Sequence, residues 1–390
     1  MSGPLSGRRV VELSAMGPVP FCGQLLADFG AEVIRIDRPT PSSVATLGVD
    51  PRFISARGKR SVMLDLKQSN DLETALQVVE SADVLLEGSR SGMAERLGLG
   101  PDACLARNPR LVYGRCSGWG NSGPLSQRAG HDINYIALAG ALSLIGDAGA
   151  PPPPTLGLIG DHGGAGMLLT TAVLAALTRA QLSGEGQVVD ASILDGALAL
   201  TTPYHESMAC GERGDARGTI ADGAAPFYAT YETADGKYVA VGAMEPHFYA
   251  QLLEVLGFSP EDLPPQSDRS RWEIAKMRLA QRFREKTRDE WCRAAEGRDA
   301  CLAPVLTLSE VAQHPHHRAR GTFVDVGGVT QPAPLPAFSR TPLSVPTPAP
   351  AIGADTDAVF AELSARADAS RTQTQRPVET DTIDTGMVQR

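Results

Sequence analysis

Two short stretches hold the residues whose types and spacing could do chemistry. Residues 130–135 read GHDINY and residues 160–164 read GDHGG. The first sets His131 beside Asp132 just ahead of an apolar run; the second sets Asp161 among glycines. An aspartate before an apolar run is a good helix N-cap, because its oxygens accept from the free N–H groups of a first turn. A histidine and a carboxylate are also the two halves of an acid–base pair. The readings are compatible: a helix N-terminus beside His131 would present free N–H groups and positive dipole to a developing oxyanion. Asp161 could cap the helix that follows it, while its glycines let a bulky ligand approach the backbone. Spacing alone leaves the capping and catalytic readings open.

Other candidates are weaker. GWGNSG (118–123) fits a dinucleotide-loop pattern, but Pro124 follows instead of a helix. GRCSG (114–118) resembles a nucleophile elbow, yet glycine follows where a helix is needed, so Cys116 reads as core. His314, His316 and His317 have no carboxylate or thiol company, and Pro315 interrupts helical spacing, so a solvated loop is expected and no metal site. Arg38 ends one β-branched run and Arg90 another; at strand ends a guanidinium suits a phosphate. Two ordinary surface arginines are the competing explanation.

These residues need elements to position them. Residues 1–120 alternate β-branched runs (RRVVELS, AEVIRID, SVMLDL, DVLLEG, LVYGRCS) with helical spacings (PFCGQLLADFG, DLETALQVVESA), which predicts α/β architecture with a Rossmann-like parallel sheet. NYIALAGALSLIG and GMLLTTAVLAALTRAQ have helix length, separated by the extended APPPPT; GQVVDASI predicts a further strand and then a helix to about Glu206. The expected organisation is a large Rossmann-like domain over 1–205 and a smaller α+β domain over 226–330, the latter opening on a hairpin about Asp235-Gly236. An extended return and helix over 331–368 would rejoin the large domain, and 369–390 reads as a disordered tail.

The 390 residues carry a net charge of -9, which argues against a nucleic-acid partner. The six cysteines are scattered and read as reduced thiols. The N-terminus has no long apolar segment and the chain no run of about 18 apolar residues, so neither a signal peptide nor a membrane span is expected, and a cytoplasmic location is.

Taken as a set, VVELSAMGPVPFCGQLLADFGAEVIRIDRP, SGWGNSGP, GHDINYIALAG, GDHGGAG, GEGQVVDASILDG and ADGKYVAVGAMEPHFYAQLLEVLG resemble the α-methylacyl-CoA racemases of the family III CoA-transferase superfamily, over about residues 4–345. The resemblance implies an interlocked homodimer, with the reacting centre between the large domain of one chain and the small domain of the other. It implies catalytic roles for His131, Asp161 and Glu245, the last bonded to the histidine across subunits. It implies acyl-CoA contacts at Arg38, Leu64, Asp65, Leu66, Lys67, Arg90, Gly130, Asp132, Ile133, Asn134 and Tyr135. CoA would be part of the substrate, with no separate cofactor and no metal.

The implied reaction removes the proton α to a thioester and returns one to the opposite face. Neutral His131 can accept at pH 7, since histidine titrates near 6.5. Asp161 must be protonated to donate, at a cost of roughly 4 kcal/mol for an unshifted carboxyl, less if burial raises its pKa. The alternative is a CoA transferase in which Asp161 attacks the thioester to form an acyl-aspartyl anhydride; that route has no use for His131. Three places depart from the racemase pattern: His162 after the aspartate, RGTIADGAAP, and Ser91. They bear on acyl specificity, and His162 is expected either to bond the Asp161 carboxylate, to line the acyl pocket, or to point away.

Overall fold

The computed structural model describes residues 2–39, 53–212 and 214–374. Its main sheet is built from β1 (Arg9–Leu13), β2 (Glu32–Asp37), β3 (Lys59–Met63), β4 (Val84–Glu87), β5 (Val112–Ser117) and β6 (Gln187–Ser192), in the order β3-β2-β1-β4-β5-β6. Every pairing is parallel. This is the Rossmann strand order, and it puts ligand-binding loops at the strands' carboxyl ends. In β1 Val10 and Val11 point to opposite faces and both are buried, because a parallel sheet is covered on each side.

One face carries α1 (Pro18–Asp28) and α5 (Met167–Ser183), with Val19, Cys22, Leu26, Leu169, Val173 and Ala176 in a shared core. Burying a side chain such as Leu26 stabilises by roughly 1.5–3 kcal/mol. The opposite face carries α2 (Ser69–Glu80) and α3 (Pro101–Arg107). Val359 of α12 (Thr356–Thr374) enters this core too, and the Asp355 carboxylate accepts the Ser61 N–H at 2.9 Å. This last described helix therefore packs on the same sheet as β1. The helix continues to Thr374, so residues 369–374 are helical where a disordered tail was expected; 375–390 lie outside the described residues.

Leu158–Ser183 is long and apolar enough to cross a membrane by length and composition alone. Leu169, Val173, Ala176, Leu177 and Ala180 of that run are buried against the sheet, which accounts for its apolarity.

The helix-length stretch NYIALAGALSLIG divides into α4 (Asp132–Leu138) and a short 3₁₀ turn at Ala141–Leu144, broken at Gly140 in a left-handed conformation. The helix expected after β6 is two, α6 (Ile193–Leu200) and α7 (Thr202–Ala209), with Pro203 in the first turn of the second.

Residues 225–302 gather a separate core. The hairpin β7 (Tyr228–Glu232) and β8 (Tyr238–Gly242) turns about Asp235-Gly236 as the sequence predicts, and β9 (Leu302–Val305) adds antiparallel to β8. Helices α8 (Pro246–Leu256), α9 (Trp272–Phe283) and α10 (Arg288–Ala294) cover it. The HPHH stretch is not a loop. His314 caps α11 (Pro315–Arg320) by accepting the His316 N–H, and Pro315 occupies the first turn, where its missing N–H costs nothing. The hairpin β10 (Phe323–Val326) and β11 (Val329–Pro332) follows.

Candidate active site

His131 is itself the N-cap of α4, with extended backbone (φ -134°, ψ 172°), and its N–H donates to Asn134 Oδ1 at 3.1 Å. Asp132 is therefore not the cap, as the sequence suggested, but the first helical residue. Its carboxylate reaches the other motif instead: Oδ1 accepts the backbone N–H of Asp161 at 3.0 Å. Nor is Asp161 a cap. It lies inside a π-helical run, Leu158–Gly166, that continues into α5. Such widened turns are rare and occur often at functional sites.

Glycines make this junction. A Cβ on Gly160 would collide with Asp132 Oδ1, and one on Gly196 of α6 would meet the backbone of Gly164 and Ala165 at 2.5 Å. The π-run thus lies directly on α6. Gly17, at φ +71°, stands beside the Asp161 carboxylate, where a Cβ would sit 3.3 Å from Oδ2. The sequence reading gave the glycines only a ligand-access role; their first role is to let backbone meet backbone.

The Asp161 carboxyl is half-buried, and burial raises its pKa above the ordinary carboxylate value. The Asp132 carboxylate raises it further, while His162 and His131 pull it down. Both imidazoles therefore act on Asp161 through space. Tyr135 is buried under the turn, edge-on to Trp119 at 4.6 Å between centroids. Gly130 packs on the same two rings; a Cβ there would lie 2.8 Å from Tyr135 and 2.9 Å from Trp119. Ile133 and Asn134 are exposed.

A cavity of about 850 Å³ runs from Asp161 and His162, past Met16, Gly17 and Phe21, to Arg38 and Arg90. His131 does not line it; its side chain is exposed. Both arginines are exposed at the ends of β2 and β4, as expected. Glu87 fixes the turn that carries Arg90, accepting from Ser89 N at 2.8 Å and from Ser89 Oγ at 2.6 Å. Leu64 and Leu66 border a small adjoining hollow with Arg38, while Lys67 is exposed. Asp65 is occupied locally, accepting from the Lys67 N–H and Gln68 Nε2.

Glu245 caps no hydrogen bond of its own helix but precedes Pro246 at the start of α8, exposed. Among the described residues no hydrogen bond or ion pair joins it to His131. Nor, among the described residues, do any three or more His, Cys, Asp or Glu side chains cluster as a metal site would.

Sequence reasoning missed the cavity floor. Lys59 Nζ and Glu12 Oε2 pair at 2.6 Å with side chains 1% and 0% exposed, and Nζ also donates to Pro20 O at 3.0 Å, pinning the first turn of α1. Arg35 and Asp37 form a second buried pair at 2.8 Å. The four share one sheet face through strand alternation and register, Glu12 opposite Arg35 and Lys59 opposite Val33; each strand carries further charges, so the sequence did not single them out.

The sequence profile of CoA-transferase family III matches residues 5–356. The chain is 46% identical over 362 residues to "Alpha-methylacyl-CoA racemase" of Mus musculus, covering 92% of this chain and 93% of that one. It is 43% identical over 352 residues to the Homo sapiens protein of the same name, covering 87% and 90%. Among solved structures, a CAIB/BAIF family protein from Brucella suis superposes with a TM-score of 0.81 at 25% identity, covering 93% of this chain and all of that one. A match that takes in the parallel sheet, both halves of the His131–Asp161 junction and the second core leaves one assignment: the chain belongs to CoA-transferase family III.

Proposed function

We propose that the chain inverts C2 of 2-methylacyl-CoA thioesters by moving protons between two side chains, His131 and Asp161. Neutral His131 takes the C2 proton, and the C–H electron pair passes into the thioester as an enolate. The Asp161 carboxyl then gives its proton to the opposite face of C2. The reverse direction exchanges the roles. The enolate oxygen would lie at the start of α4, where the first N–H groups have no intrahelical acceptor. Burial and the Asp132 carboxylate favour the protonated Asp161 this scheme needs. Arg38 and Arg90 would grip the nucleotide phosphates at the far end of the cavity, with Leu64, Leu66 and Lys67 beside them.

The observation that carries this reading is the junction itself. The Asp132 carboxylate accepts the Asp161 N–H and so ties the two motifs together, with His131 within electrostatic reach of Asp161. An anhydride-forming transferase needs the aspartate alone. The names of the mouse and human relatives point the same way.

The reading includes a second copy of the chain. His131 is exposed, and so are Ile133 and Leu138 on its own helix and Leu156 and Leu158 at the start of the Asp161 segment, Leu156 to 88%. Apolar surface of that kind marks an interface, and Glu245 of a partner would approach His131 there. A monomer in sedimentation at micromolar concentration would remove this part of the reading.

The decisive experiment incubates the protein with one epimer of a 2-methylacyl-CoA in D₂O, with no acceptor acid. Deuterium should enter C2 while the other epimer accumulates. A C2 that stays protiated, together with hydroxylamine trapping of an acyl group on Asp161, would hand the site to the transferase mechanism.

A further inference from the structure

The imidazole of His162 enters the same cavity as Asp161, and its surroundings fix it on two sides. Nδ1 lies 2.9 Å from Gly157 O, which also accepts the His162 backbone N–H at 3.0 Å. The ring meets Phe21 of α1 edge-on, with centroids 5.1 Å apart and planes at 87°. A carbonyl oxygen can only accept, so Nδ1 carries the hydrogen. That leaves Nε2 as the one ring atom free to gain or lose a proton. Protonation then needs no ring flip and no loss of the Gly157 bond; it places a cation near the Asp161 carboxyl, since a Cβ at Gly157 would meet Asp161 Oδ2 at 3.5 Å and His162 Cε1 at 3.6 Å.

We infer that His162 is a positioning residue for Asp161: the locked imidazole titrates at Nε2 alone, and its charge selects the protonation state of the neighbouring carboxyl. This rests on the reading of Asp161 as one of the two proton-transfer groups.

The charged and titratable groups facing this position come from every element around it. On the π-run there is Asp161. From α4 come Asp132, bonded to the Asp161 backbone, and His131. Across the cavity stand Arg38 and Arg90, and in its floor the Glu12–Lys59 and Arg35–Asp37 pairs. The arginines stay charged throughout, and the buried pairs are tied to each other. Among these side-chain types only histidine is one whose free side chain titrates between about pH 5 and 8. Of the two histidines, His162 is the one held inside the cavity. As pH falls and His162 charges, the carboxylate form of Asp161 gains a cation beside it, opposing the effect of burial. The Asp161 carboxyl responds to His162 in that direction.

Two variants separate charge from packing. His162→Asn keeps a donor for Gly157 O but cannot titrate; His162→Phe keeps the edge contact with Phe21 and loses both. Rates of C2 deuterium exchange from each pure epimer would be measured from pH 5 to 9. Both variants should move the Asp161-controlled inflection upward by about half to one pH unit, a ~3- to 10-fold change in rate at the acid end. A readout independent of turnover is the Cε1–H NMR titration of His162, assigned by its absence in His162→Asn. Coupling between two sites is reciprocal, so Asp161→Asn should lower the His162 titration midpoint by a comparable shift. If wild type fails to exchange C2, the proposed function fails, and the NMR titration still tests the coupling. If wild type exchanges, superimposable pH profiles for all three proteins, or a His162 midpoint indifferent to Asp161→Asn, would overturn the inference.

Discussion

The two ends of the cavity are built on different principles. At one end Arg38 and Arg90 stand on loops that leave the carboxyl ends of β2 and β4, exposed and always charged. At the other, Asp161 is half-buried in a π-helical run, its N–H held by Asp132, and the run is pressed on α6 where Gly164 and Ala165 meet Gly196. A phosphate is large, and its attraction to a guanidinium falls slowly with distance, so the arginine end tolerates slack. Proton transfer requires heavy atoms within about 3 Å, and a misplacement of 1 Å can cost a factor near 100. Under the proposed function the rigid scaffolding therefore lies where position matters, and only charge is supplied where charge suffices.

The largest effects should come from removing the two side chains proposed to carry the proton. His131→Ala and Asp161→Ala should each lower C2 exchange by about 10²–10⁴, since either leaves one face of C2 unserved. Near-normal exchange in His131→Ala would contradict the two-base scheme. The next effect tests the scaffold without touching a proton carrier. A Cβ on Gly160 collides with Asp132 Oδ1, so Gly160→Ala must break or displace the Asp132–Asp161 link. We expect kcat to fall by about 10–100-fold with KM little changed. Full activity in a folded Gly160→Ala protein would show that the link is not what places Asp161.

How much of this was legible in the sequence follows the same division. The sheet was, because period-2 apolar runs alternating with helical spacings leave few other folds. So was the placement of Asp161, Arg38 and Arg90, polar groups where chain pattern puts loops or helix starts, which the structure brings to one cavity; His131 stands outside its lining. The roles at the junction were not. Asp132 reads as a cap because capping is local, whereas its actual partner, the Asp161 N–H, is distant in sequence and is met only after α6 packs under the π-run. The π-helix has no local signature beyond glycine. The Glu12–Lys59 pair was hidden for the same reason: each charge sits in its own strand, and only the register of β1, β2 and β3 brings them together.

The arginine end should respond differently. Arg38→Ala or Arg90→Ala should raise KM for acyl-CoA by about 10-fold and leave kcat within a factor of about 3, because a lost phosphate contact weakens ground and transition states alike. A change mainly in kcat would place the arginine in the chemistry and erase the contrast between the two ends.

The smallest effect is on stability, and it separates the ends most cleanly. Folding raises the pKa of Asp161 through burial and the Asp132 carboxylate. A group whose folded pKa lies above its unfolded value binds its proton more tightly in the native state. Its favourable contribution is complete below the unfolded value, near 3.9, and is lost as pH rises through the folded one. At pH 7 the carboxylate is therefore a liability that an amide does not share. Asp161→Asn should melt about 1–3 °C higher than wild type at pH 7, and the gain should shrink towards zero as the pH approaches 4. The exposed Arg38→Ala and Arg90→Ala proteins should melt with wild type at both pH values, since neither charge was taken out of water. Scanning calorimetry of the four proteins at pH 4 and pH 7 checks both halves. An Asp161→Asn protein that melts at or below wild type at pH 7 would mean that the carboxylate is well accommodated in the native state. Its protonated form would then need another source.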